Sequence, residues 1–271
     1  MYLDILEIIL PILVGISLGM IGGGGTVLAV PILIYIYGIN SKSAIGMSLG
    51  IVCFVSFVGS YFHWKQKNIR LELAAYFTPF AMLGAYIGAK IASLPFITSS
   101  LQMILFGSTV LISSLFMIFK KSDPESEPET NTNKDSTSIT EENLNNKNKF
   151  IIMGIQGVLV GILTGLVGVG GGFLIVPALV FFGRLPIREA IGTSLVVIFF
   201  NSMSGFLGYI NKVNIDYMVI LYFGGLSVIG VIFGVHYGQK LPKQNLQKIF
   251  GLFLFVLGLW ILWGQTADNL N

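Results

Sequence analysis

Two glycine clusters are the residues of this chain whose types and spacing point to chemistry. The first lies in Gly15–Pro31, GISLGMIGGGGTVLAVP, where Gly22, Gly23, Gly24 and Gly25 run into Thr26. The second lies in Gly161–Pro177, GILTGLVGVGGGFLIVP, with Gly168, Gly170, Gly171 and Gly172. The two stretches are one pattern displaced by 146 residues, the offset from Gly15 to Gly161. A helix beginning just after Gly25, or after Gly172, points free backbone N–H groups and a positive dipole end at the cluster. That combination binds anions. Thr26 adds a hydroxyl on the first side only. Ser48 and Ser194 open the apolar runs that follow and could donate hydroxyls, with Thr193 beside Ser194. Asn201 lies deep in an apolar run where the offset places Val55, so it breaks the symmetry of the pair.

Each of these residues also has a plainer use. Glycines in membrane helices let backbones pack closely, but a duplicated four-glycine cluster weighs toward a site. Ser48 and Ser194 stand near helix starts, where capping competes with ligand contact. Asn201 could serve a neighbouring helix alone. His63 and His236 lie at span ends and do not correspond under the offset, which reads as placement at the membrane interface rather than metal binding.

Other chemistries are poorly served. GMIGGGG lacks the Lys-Ser/Thr that completes a phosphate-binding loop, and its flanks are apolar spans instead of a βαβ unit. No serine is paired with a base as hydrolysis needs, so the chain does not read as an enzyme. All thirteen acids lie in loops, termini or span ends. An intramembrane carboxylate proton relay has nowhere to sit, and no ATPase domain is present. Transport is then passive, or coupled through a proton that the substrate itself carries. The sequence calls for no cofactor, no metal and no nucleic acid. The expected partners are a small anion and the lipid bilayer, with oligomeric state open.

The elements that must hold these residues are membrane helices. The chain has 271 residues, 54% hydrophobic and only 11% charged, with mean hydropathy +0.81; soluble domains carry about 25% charged residues. The N-terminus has no basic region of the signal-peptide kind, and the one cysteine, Cys53, reads as packing. An apolar arm at 5–21 runs into the first cluster, and a second arm follows at 26–38. Neither is a comfortable span, since a crossing helix needs about 20 apolar residues. Full spans are expected at 44–62, 73–94 and 97–119. The second half gives a broken segment at 150–183 and spans at 189–210, 217–238 and 245–264. Ala44–Leu49, AIGMSL, matches Ala190–Leu195, AIGTSL, at the same offset, as do Gly84/Gly230 and Gly88/Gly234. The expected organisation is a first transmembrane repeat at 1–119, a disordered linker at 120–149 rich in Ser, Thr, Asn and Glu, and a second repeat at 150–271.

Lysine and arginine orient the repeats. If each broken segment crosses once, the basic residues split nine to seven between the faces. If each returns to its own side, they split thirteen to three, with only Lys42, Lys90 and Lys212 on the poor face. The second arrangement makes the repeats inverted, puts both termini outside and puts the linker in the cytoplasm. The expected fold is therefore all-α and polytopic. It has two inverted repeats, each with a Gly-broken re-entrant or paired short-helix segment and three full transmembrane helices; the short arms favour a re-entrant hairpin with its tip near the midplane over two full crossings. Paired broken segments of this kind mark transport sites.

Two copies of GxxxGxxGxGGxxxxVP, each followed by AIGxSL, resemble the sulfite exporter TauE/SafE family, also called TSUP permeases. The resemblance covers both halves outside the linker. It implies an inner-membrane permease for sulfite, sulfonates and related sulfur-containing or carboxylate anions, without naming which. An anion channel, or a receptor that keeps the fold without flux, are the alternatives.

Overall fold

The computed structural model describes residues 2–94, 97–119, 154–181, 183, 185–238, 251–252 and 254–263. The linker at 120–149 lies outside them. Among the described residues the chain forms ten helices and no strand: α1 (Tyr2–Ile21), α2 (Thr26–Tyr35), α3 (Ser41–Lys65), α4 (Leu71–Ala92), α5 (Ser99–Phe119), α6 (Gly154–Val167), α7 (Gly172–Phe181), α8 (Ile187–Tyr209), α9 (Tyr217–Gly238) and α10 (Leu254–Trp263). In lipid every backbone polar group must be satisfied within the protein, which leaves apolar runs of this length little choice but helix.

By length and composition, α3, Arg188–Tyr209 of α8, and α9 can cross a membrane. Helix α4 has the length, 22 residues, but Glu72, Pro79 and Lys90 dilute its apolar run. Large apolar side chains face outward, among them Phe57, Leu83, Leu221 and Phe233. In water such a surface would be an aggregation hazard; against acyl chains it is the matching one. The chain is a helical membrane protein.

The first broken segment is a hairpin. At 20 residues α1 is longer than its apolar run suggested, about 30 Å, because Asp4 and Glu7 begin the helix instead of preceding it. Helix α2 has 10 residues, about half that length. It folds back along α1: Gly25 packs against Val14, Ser17 and Leu18, and Tyr37, just past α2, reaches Glu7. Pro11 explains that last contact. It has no N–H to give to the carbonyl four residues earlier, and the Tyr37 hydroxyl donates to Glu7 O instead, at 3.1 Å. Gly38, at φ +66°, then turns the chain toward α3.

The two halves do not pack as separate bodies. Helix α1 lies against α9 of the second half, and α6 lies against α4 of the first. Both seams are lined with glycine. A Cβ on Gly15 would overlap Ser227 O, and one on Gly230 would overlap Ile12 O. At the other seam a Cβ on Gly161 would overlap Ala81 O, and one on Gly84 would overlap Val158 O. Each contact in one seam maps onto one in the other by the 146-residue offset. Helices that approach this closely gain packing that lipid cannot supply.

Helices α3 and α8 are the most enclosed spans. They pack on each other, with Leu49, Val52, Leu195 and Ile198 among the buried residues. One exposed ion pair ties the halves at an edge: Arg70, before α4, donates from Nε to Glu189 Oε2 at 2.6 Å and from Nη2 to Oε1 at 3.2 Å. That hydrogen bond and charge raise the Arg70 pKa.

Candidate functional site

Each hairpin turns at a glycine that only glycine fits well. Gly22 has φ +78° and Gly168 φ +76°, a left-handed backbone that side chains resist. Neither has room for a side chain either: Gly22 presses on Ile191, and Gly168 on the equivalent Ile45.

The AIGxSL motif of each half grips the tip of the other. Ser194 Oγ donates to Gly22 O at 2.8 Å and lies 2.7 Å from Ile191 O. Ser48 Oγ donates in the same way to Gly168 O and lies 2.7 Å from Ile45 O. Both serines are fully buried. A hydroxyl has one proton, and here it is committed to carbonyls, so the pair positions the tips. Replacing either serine with alanine leaves a buried carbonyl without its donor. Each change is expected to lower stability by about 1 kcal/mol, nearly additively in the double variant, read as a fall in melting temperature in detergent. Unchanged melting in both would remove the clasp.

Beyond the clasp the tips meet. Gly23 and Gly172 lie backbone to backbone, each where the other's Cβ would go. Helix α2 starts at Thr26 from Gly25, which makes no side-chain cap, and α7 starts at Gly172. Thr26 Oγ1 donates at 2.7 Å to Gly23 O in its own turn, so its proton faces the loop. Gly24 is buried with its neighbours. Gly170 and Gly171 take φ +66° and +83°, whereas Gly25 sits at −66°. The two tips therefore share a turn at the first glycine and differ after it.

The difference is chemical as well. Asn201 is fully buried and reaches the second tip, with Nδ2 donating to Thr164 Oγ1 at 2.8 Å and to Gly170 O at 3.2 Å. Ser202 stands beside it, its Oγ 2.7 Å from where a Gly170 Cβ would be. The first tip has Leu18, Val55 and Ser56 at the equivalent positions, and Ser56 turns to its own helix at Val52 O, 2.6 Å. Thr164 and Ser202 were not singled out from the sequence. The signal for Thr164 was there: a polar residue standing where the repeat has an apolar one, as for Asn201.

Two residues read differently in three dimensions. Thr193 is not brought to the tips by its hydroxyl, which accepts the Arg70 N–H at 2.9 Å and so caps α4. His63, near the end of α3, is enclosed by protein. It is 6% exposed, and its Nε2 lies 3.4 Å from Gly19 O. Its equivalent is Tyr209, whose hydroxyl donates to Gly165 O at 3.2 Å. One α-helical turn before each tip, an aromatic polar group thus meets the matching carbonyl.

Comparison with known proteins agrees with a membrane protein. Residues 8–261 match the family described as Sulfite exporter TauE/SafE. A probable membrane transporter protein of Xylella fastidiosa is 28% identical over 94% of each chain. The probable membrane transporter protein YdhB of Bacillus subtilis is 27% identical over 95% of this chain and 99% of its own. A probable membrane transporter protein of Methanocaldococcus jannaschii is 28% identical over 95% and 94%. No solved structure matches. With residues 8–261 matched, a range that includes both glycine tips and both AIGxSL motifs, the chain belongs to the sulfite exporter TauE/SafE family.

Proposed function

We propose that this protein is a cell-membrane permease for small anions, with sulfite or organosulfonates as the substrate class, working by alternating access. One observation carries the reading: two glycine tips, each opening a short helix, meet inside the protein at Gly23 and Gly172. Helix N-termini attract anions through free N–H groups and the dipole. In this reading the anion sits between the tips when they part, and their contact is the seal that separates the two sides.

Inverted repeats fit the hairpin. Because α2 returns to the level of Glu7 along α1, the broken segment ends near where it began. Three further helices then give each half an odd number of crossings. Together with the thirteen-to-three division of basic residues, this favours both termini outside and the linker inside.

The deciding experiment is radiolabelled sulfite counterflow in proteoliposomes. Saturable, trans-accelerated exchange is expected. Flux without counterflow would mean a channel, and no flux a receptor or scaffold. Sidedness has its own test. A single cysteine at Ser136, in a Cys53→Ser background, should resist membrane-impermeant labelling in intact cells and react after lysis. Labelling from outside would reverse the topology. Deleting residues 124–146 should leave insertion and flux within about twofold, as the Ser-, Thr-, Asn- and Glu-rich composition of a tether implies.

A further inference from the structure

We infer that the second tip selects an oxyanion that carries its own proton, hydrogensulfite over the sulfite dianion; this rests on the anion-permease reading and specifies its substrate. The amide of Asn201 has a determined orientation. Gly170 O can only accept, so the atom facing it must be Nδ2, and Oδ1 faces the other way. That Oδ1 is buried with no partner, and the Ser202 hydroxyl, also fully buried, has none. A buried, unpaired acceptor is costly, and what it lacks is a donor. A bare dianion could accept from the Ser202 hydroxyl but has no donor to offer Oδ1. A protonated oxyanion offers one to Oδ1 while its charged oxygens face the N–H groups at the start of α7.

Charge leads to the same ligand. Among the described residues no lysine or arginine is buried, and the one buried titratable cation near the tips is His63, a turn before the first tip against Gly19 O and away from Asn201; helix ends supply the positive field at the second tip. Two N-termini at about +0.5 charge each balance a monoanion and leave a dianion half neutralised. A proton moving with the substrate also needs no carboxylate in the protein. Protonation occurs in water before binding and is reversed after release, so no bond in the protein changes. Flux is then coupled to the pH gradient by the cargo itself.

The test is sulfite counterflow by the full chain in proteoliposomes, measured through the pH range in which sulfite gains its first proton. Half-saturation should be constant when expressed as hydrogensulfite and should rise with pH when expressed as total sulfite. Asn201→Val, which copies Val55, should weaken hydrogensulfite binding about tenfold and flatten the pH dependence. Ser202→Ala should weaken it a few-fold and keep the dependence. If Asn201→Val is not monodisperse, the wild-type profile and Ser202→Ala decide. Saturable counterflow that follows the dianion, ignores pH, or keeps its pH profile in folded Asn201→Val overturns this inference and leaves the permease reading standing. Absence of sulfite counterflow at every pH with organosulfonate counterflow intact overturns this inference alone; absence of counterflow with both substrates overturns both readings.

Discussion

Replacing Gly172 with threonine is expected to cut flux steeply while leaving each hairpin folded. The substitution gives the second tip the residue that the first already carries at the same place, Thr26, so a side chain is compatible with this step of the helix. Gly172 is not among the glycines with positive φ, and no backbone strain is added. What the new Cβ meets is the other tip: it would overlap Gly23 Cα and lie 2.7 Å from Ile198 Cδ1. The isoleucine methyl can swing away; the backbone of Gly23 cannot. Overpacking of this kind costs about 1–3 kcal/mol, equivalent to about 5- to 150-fold in the population of the closed contact. Counterflow should fall by a factor in that range. Normal flux from a monodisperse Gly172→Thr protein would show that the tips do not form the seal. Valine at Gly25 or Gly171 should abolish flux too, but for mixed reasons. At Gly25 the new side chain overlaps Val14 O within its own hairpin, and at Gly171 it overlaps Thr164 while the backbone stands at φ +83°.

The largest loss of stability is expected from valine in the helix seams. Gly84→Val and its equivalent Gly230→Val each place a branched side chain on a neighbouring carbonyl, Val158 O in one case and Ile12 O in the other. The carbonyls belong to helices, so relief requires moving α6 from α4, or α1 from α9. The cost is about 3 kcal/mol or more, enough to remove most folded protein from detergent extracts. Gly225→Ala is the control on α9: its Cβ would meet nothing within 4 Å, and the change should leave melting unchanged or raise it slightly. Size-exclusion profiles and melting temperatures decide. Stable Gly84→Val and Gly230→Val proteins would mean that the seams are looser than the structure places them. The contrast matters for the site as well, because seam glycines should fail by unfolding and Gly172 by loss of flux in a folded protein.

Composition alone placed this chain in a membrane, because 54% hydrophobic residues with 11% charged cannot make a soluble surface. The duplication was equally legible. A glycine that must take φ near +77° tolerates almost nothing else, so Gly22 and Gly168 survive in register while the residues around them differ. Asn201 was visible as a polar residue at a depth where its repeat partner is Val55. What the sequence could not show is which half serves which. Ser48 and Ser194 read as donors to a substrate, yet each is spent on the opposite tip, because the offset between repeats says nothing about how they interleave. Thr193, next to Ser194 in the chain, read as a helper to it on that side only. One helical step rotates a side chain by about 100°, and that step turned its hydroxyl to the Arg70 N–H. His63 read as a membrane-interface residue from its place at a span end and its lack of correspondence with His236, and only the packing of α3 on α1 shows it enclosed within the protein against Gly19 O. Periodicity and composition carry one-dimensional facts such as depth, repeat and chain reversal. Cross-contacts between distant segments depend on the relative rotation of whole helices, which the small residues of the seams permit and the tertiary structure alone decides.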